Sequence, residues 1–175
     1  MARILGEKFF ARSAVEVAPD LLGKLLVRQR GGDVKRYRIV ETESYEGLSD
    51  KASHASRGRT ARTETMFGPP GRWYVYLVYG MYDMLNIVTG PEGHPGAVLI
   101  RGVKLDQLHL DGPGKLTKEL QITRALNARK AAPENGLWIE NAPRVLPKSI
   151  ERTPRIGVAY AGEWAKKPWR FVLKY

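Results

Sequence analysis

Residues 38–45 (RIVETESY) carry two carboxylates two positions apart, Glu41 and Glu43, among β-branched and aromatic residues that read as a strand. Period-two alternation puts Ile39, Glu41, Glu43 and Tyr45 on one face, so an apolar residue shares that face with two acids. Burying an unpaired carboxylate costs several kcal/mol. Either this strand end is solvated, or one glutamate is kept for chemistry, as a base or as a stabiliser of positive charge. The apolar run 97–103 (AVLIRGV) poses the converse problem: Arg101, near the end of a central strand, is costly there without an anion. Metal chemistry is not expected, since the chain has no cysteine and His54, His94 and His109 lack the close pairing of a zinc helix. No cofactor is expected either.

A second concentration of functional side chains lies in residues 73–86 (WYVYLVYGMYDMLN), which hold Trp73, Tyr74, Tyr76, Tyr79, Tyr82 and Asn86. Strands at 73–78 and 83–88 flank a turn, Tyr79-Gly80-Met81-Tyr82, whose glycine supplies the positive φ of a tight hairpin. Tyr79 then sits near the tip. It either lies back on the sheet or stands out as a wedge able to enter a stack of bases. The long irregular connection 46–71 ahead of the hairpin holds His54 and the basic set Arg57, Arg59 and Arg62. The arginines could approach phosphates; His54 is either a loop histidine satisfied by backbone or part of the same surface.

These side chains need elements to hold them. Ser13 caps a helix over 15–22 that stops at Gly23, with Pro19 able to split it. Strands at 24–29 and 35–45 flank a glycine hairpin loop, and 97–103, 137–140, 155–160 and 169–173 read as further strands. Residues 111–116 (DGPGKL) open a helix whose glycine-rich start offers N–H groups to a phosphate. About seven strands with few short helices make the fold class α+β: a single mixed domain over 1–175 with an antiparallel-rich curved sheet and a protruding β-hairpin. A chain of 175 residues buries roughly 70% of the surface its unfolded form exposes, so no staple is required.

The net charge of +11 is large for this length and favours a polyanion through counterion release, which makes nucleic acid the leading partner. The excess is concentrated in 51–72 and from 144 to the end. The opening MARILGEKFF lacks the apolar core of a signal peptide, and no apolar run reaches the ~18 residues of a membrane span. A soluble intracellular protein without membrane association is expected.

Three stretches, 38–45, 73–86 and 155–171 (RIGVAYAGEWAKKPWRF), together and in this order resemble the alkyladenine DNA glycosylase family, also called 3-methyladenine DNA glycosylase. The resemblance runs from the helix end at Leu21-Leu22-Gly23 to the last strand, and the short ends look like a compact bacterial-type member. It implies that Glu43 is the general base that activates water, with Arg101 beside it. It also implies that Tyr45, His54 and Tyr76 sandwich a flipped base, that Asn86 disfavours the 2-amino group of guanine, and that Tyr79 fills the gap left in the duplex. The implied partner is double-stranded DNA, entered through the minor groove. The implied activity is repair of alkylated or deaminated purines (3-methyladenine, 7-methylguanine, hypoxanthine, ethenoadenine) by a monomeric, cytoplasmic, nucleoid-associated enzyme.

The physical chemistry agrees with that transfer. Rotating a nucleotide out of a duplex costs a few kcal/mol, and an inserted aromatic offsets the lost stacking. Aromatic walls favour electron-poor alkylated rings, and a carboxylate serves both as base toward water and as counter-charge to an oxocarbenium-like sugar. None of the lysines in these motifs is read as a Schiff-base nucleophile, so a monofunctional, metal-independent glycosylase is expected. The rival reading is a non-catalytic nucleic-acid-binding module, such as a tRNA- or DNA-binding accessory domain. The combination of Glu43, Tyr45 and Arg101 discriminates, because a binding module has no use for a carboxylate against a phosphate-facing surface.

Overall fold

The sheet is built around β2 (Asp33–Glu46), in a computed structural model that describes residues 2–175. From Arg38 onward one edge of β2 pairs with β5 (Gly96–Leu105). The other edge is divided between β1 (Leu25–Arg30), across 33–38, and β9 (Arg170–Leu173), across Glu41, Thr42 and Glu43. The hairpin of β3 (Trp73–Val78) and β4 (Tyr82–Thr89) extends the sheet beyond β5, and β7 (Leu137–Glu140) extends it beyond β1. With β6 (Leu108–Leu110) on β5 and β8 (Ile150–Thr153) on β9, nine strands form one open sheet in which these pairings are antiparallel. The fold is α+β, as the sequence indicates.

Three short helices accompany the sheet: α1 (Glu7–Phe10), α2 (Ala14–Leu21) and α3 (Pro113–Glu119). α2 opens on a capping box in which the Ser13 side chain accepts from Glu16 N–H and Glu16 reaches back to Ser13 N–H. Pro19 sits inside α2 without splitting it, because only one hydrogen bond is lost, close to where the helix ends. Gly23 at φ 83° stops the helix, and a Cβ there would lie 2.6 Å from Val145. Ala14, Val17, Ala18 and Leu21 bury one helix face in the same cluster as Ile39, Trp73, Ile100 and Phe171. Each large side chain so buried contributes about 1.5–3 kcal/mol.

α3 supports the hairpin. Thr117 Oγ1 donates to Asp83 O at 2.8 Å, and Gly114 packs so close to Tyr82 that a Cβ would meet its ring at 2.8 Å. At the start of α3 the exposed Lys115 is paired with Asp111 at 2.6 Å. The connection over residues 47–72 contains two 3₁₀ turns, His54–Arg57 and Glu64–Phe67, and packs Ala55, Met66 and Phe67 beside Tyr74, Val88 and Ala97.

The expected strand at 155–160 does not form. Ile156 and Val158 imitate strand alternation, but Gly157 turns the chain at φ 76° and 3₁₀ turns follow over Ala159–Lys166. α1, β6 and β8 were not anticipated: each is three or four residues long, too short for a periodic signal. Among the described residues no helix is long and apolar enough to cross a membrane.

Candidate active site

β2 does not keep strict alternation. It inserts Val40 where β5 takes a single step from Val103 to Gly102, and β5 then inserts Arg101 where β2 steps from Glu41 to Thr42. These paired bulges re-aim the strand. Ile39 joins the core and Thr42 Oγ1 donates to Ala18 O at 2.8 Å, whereas Glu41, Glu43 and Tyr45 turn to the other side. Ile39 therefore does not share a face with the glutamates, because the extra residue at Val40 shifts the period by one. Gly102 permits the close approach: a Cβ there would lie 3.1 Å from Glu41 Cβ and 3.4 Å from Val40 Cγ2.

Glu43 is 0% exposed, so this strand end is not solvated. Its Oε1 accepts the Ile156 N–H at 2.8 Å and its Oε2 accepts the Tyr45 hydroxyl at 2.7 Å. Arg101 Nε lies 3.6 Å from Glu43 Oε1 and donates to Glu41 Oε1 at 3.0 Å, the oxygen that also accepts Arg170 Nε at 2.6 Å. The anion that Arg101 requires is thus supplied by both glutamates. Burial pushes the Glu43 carboxyl above the ordinary range, opposed by Arg101, the Ile156 N–H, the Tyr45 hydroxyl and Arg155. Tyr45 is held well above the usual phenol value by burial and by the Glu43 charge, so it remains a donor.

Beside this carboxylate opens a cleft of ≈ 450 Å³, lined among others by Tyr45, His54, Tyr76, Asn86, Arg101 and Tyr160. The His54 and Tyr76 rings meet edge-on at 4.7 Å and 77°. Burial, with the charges of Arg62 and Arg57, lowers the His54 pKa and keeps the ring neutral at pH 7. Asn86 is buried, its Nδ2 donating to Tyr74 O at 3.2 Å and Met84 O at 3.4 Å. Arg62 crosses the Tyr76 ring at 5.2 Å, whereas Arg59 is tied to Glu64 at 2.6 Å.

Tyr79 stands at the rim, 89% exposed, and does not lie back on the sheet. Met81 N–H closes the turn onto Val78 O at 3.1 Å, with Tyr79 at φ 53° and Gly80 at φ 63°, the signs a type I′ turn requires. A bulky residue in the left-handed region stores local strain, of order 1 kcal/mol, that no core contact offsets.

All seven residues to which the resemblance assigns a role surround this one cleft or its carboxylate. Others at the site were given no role from the sequence. Asp50 and Arg155 form a bidentate pair at 2.6 and 2.9 Å behind Tyr45, each 0% exposed in its side chain. A pair separated by 105 positions leaves no local signal. Tyr74 lies deep beside Asn86 with its hydroxyl buried and unpartnered, its pKa pushed up to about 12 by burial. Period two from Tyr76 could have found it. Tyr160 donates to Ala52 O at 3.0 Å at the opposite wall. Among the described residues no three His, Asp or Glu side chains converge as a metal site.

Comparison with known proteins shows the family. The model of the methylpurine-DNA glycosylase family matches residues 8–175. A protein of Methanocella arvoryzae is 49% identical, with 98% of this chain and 92% of its own length aligned. One from Anaeromyxobacter dehalogenans (strain 2CP-1) is 47% identical, at 97% and 82% coverage. One from Legionella pneumophila (strain Corby) is 45% identical, at 98% and 95% coverage. All three bear the provisional name 3-methyladenine DNA glycosylase. With a family match over almost the whole length and relatives at this identity, the chain belongs to the methylpurine-DNA glycosylase family.

Proposed function

We propose that the protein excises alkylated and deaminated purines from duplex DNA, with Glu43 as the base that activates water. The observation that carries this reading is a fully buried carboxylate with a donor on each oxygen, at the side of an aromatic cleft under an exposed hairpin tip. Tyr79 enters the base stack from the minor groove and occupies the gap, which lowers the cost of extrusion. The extruded purine stacks among Tyr45, His54 and Tyr76. A cationic ring such as 3-methyladenine or 7-methylguanine is favoured there over neutral bases by the π-faces. Asn86 rejects the 2-amino group of guanine by leaving no room for it.

Bond cleavage follows from the charges. As the C1′–N bond lengthens, its electron pair leaves with the base and positive charge grows on the sugar, near the Glu43 carboxylate. Glu43 takes a proton from water, the hydroxide oxygen bonds to C1′, and an abasic site remains. A cationic base departs neutral. Hypoxanthine departs as an anion unless protonated, so it leaves more slowly. The chain acts as a monomer, without metal and without a lyase step.

The test is incubation with duplexes carrying each lesion, with and without EDTA. Free base and alkali-labile sites, unaffected by EDTA and with no strand break before alkali treatment, are expected. Tight binding of lesion duplexes with no released base contradicts the proposal.

A further inference from the structure

We propose that Arg155, locked to Asp50, is the positioning residue that holds both hydrogen-bond donors of Glu43 in place. The inference rests on the reading of Glu43 as the base. Arg155 is 5% exposed, yet its Nη1 donates to Asp50 Oδ2 at 2.6 Å and Ser44 O at 2.9 Å, and its Nη2 to Asp50 Oδ1 at 2.9 Å and Trp164 O at 3.1 Å. The guanidinium carbon sits 4.9 Å from the centre of the Tyr45 ring and 5.1 Å from that of Trp169.

The contacts to Tyr45 and Ser44, and the chain itself, lead to Glu43. The ring under the guanidinium carries the hydroxyl bound to Glu43 Oε2, and the residue following Arg155 carries the N–H bound to Glu43 Oε1. Ser44, whose carbonyl Arg155 takes, lies between Glu43 and Tyr45. Asp50 anchors the other end by accepting the Glu46 N–H at 3.1 Å and the Ala52 N–H at 3.1 Å. One planar side chain therefore clamps the loop after β8 to the end of β2, at the two places from which Glu43 receives its donors. A planar fork suits this task, since a lysine offers neither the bidentate contact nor the flat stack.

Removing the Arg155 charge would by itself raise the Glu43 carboxyl, so the positioning role is read from a variant that keeps the charge and loses only the planar fork. The groups that face Glu43 are Tyr45 on its own strand, Arg101 on β5, Ile156 N–H and Arg155 from the loop after β8, and Tyr76 across the cleft, with Glu41 beyond Arg101. Loosening Tyr45 and Ile156 removes two donors from the ionised form, so the acid limb of the rate profile moves to higher pH.

The experiment is single-turnover release of hypoxanthine from duplex DNA across pH at saturating enzyme, using Asp50→Asn/Arg155→Gln, Arg155→Lys and Glu43→Gln. The double substitution removes both charges together, so neither is left buried and unpaired. We expect its rate to fall ~10²-fold, the effect of misplacing a catalytic group by about 1 Å. We also expect its acid-limb midpoint to rise, with binding to an abasic analogue retained. Arg155→Lys, which keeps the charge, should fall between it and wild type in both rate and midpoint, and covers the case in which the double variant does not fold. An acid limb unmoved in folded Arg155→Lys overturns the inference, whatever its rate. If Glu43→Gln releases base normally, the base assignment itself fails; an inactive Glu43→Gln beside an unmoved midpoint overturns the positioning role alone.

Discussion

At the scale of single residues the site is a compromise between burial and charge. Glu43 is fully buried, and the donors on its two oxygens only partly offset that burial, so its carboxyl stays above the ordinary value. The acid limb of the rate should therefore lie above that of a free glutamate, near pH ~4.3, and a limb at or below that value contradicts the assignment. The same burial affects stability. Because folded Glu43 holds its proton more tightly than the unfolded chain does, its ionisation costs stability above the folded-state pKa and nothing below the unfolded one. Glu43→Gln should consequently raise the melting temperature at neutral pH, with the gain shrinking as pH falls. Asn86→Ser, which opens space beside Tyr74, should increase release of normal guanine relative to a lesion, and an unchanged ratio removes Asn86 from the gate. The types of the charged residues were legible in the sequence, since a carboxylate and an arginine rarely lie on inner strand positions without a reason. Their partners were not: nothing near Arg155 in the chain announces Asp50 or Trp164.

At the scale of elements two devices aim the chemistry. The first is the bulge pair that takes Glu41 and Glu43 out of register with Ile39. No glycine or proline within 38–45 announced it; the signal lay in the partner strand, where Gly102 faces Glu41. Gly102→Val should push Glu41 and Val40 aside, lowering both the melting temperature and the excision rate, and wild-type values for both would remove the bulge from this role. The second device is the β3–β4 hairpin, read correctly from its aromatics and Gly80 because tight turns have strict local rules. What the sequence left open was whether Tyr79 lies back or stands out, since that depends on whether any surface reaches over it. With its ring exposed, Tyr79→Ala should leave the melting temperature within a degree or two (~0.5 kcal/mol) and slow excision most from stably paired sites. Loss of folding in that variant would show that Tyr79 supports the core. The misread segment at 155–160 makes the complementary point: alternation alone cannot distinguish a strand from a loop whose N–H groups are spoken for elsewhere.

At the scale of the whole molecule the +11 charge supplies affinity without sequence preference. Among the described residues Arg62, which lines the cleft, and Arg57 have no ion-pair partner, whereas Arg59 is paired with Glu64. Binding should weaken steeply with salt, at a log–log slope of about 0.9 per phosphate contact, and Arg62→Ala should reduce that slope by about one unit more than Arg59→Ala does. Equal slopes for the two variants would remove Arg62 from the phosphate contacts. Charge and antiparallel strands were legible from composition and patterning. The docking of β9 on the edge of β2 beyond β1 was not, because it joins segments more than a hundred residues apart.

The central claim is that Glu43, and not its neighbour Glu41, activates water. Single-turnover release of 3-methyladenine and hypoxanthine by Glu43→Gln and Glu41→Gln, beside equilibrium binding to an uncleavable abasic analogue, tests it most directly. Glu41→Gln keeps an oxygen for Arg101 and Arg170 and should retain most activity. Glu43→Gln should bind normally and lose ~10²- to 10⁴-fold in rate. Normal release by Glu43→Gln with intact binding contradicts the account.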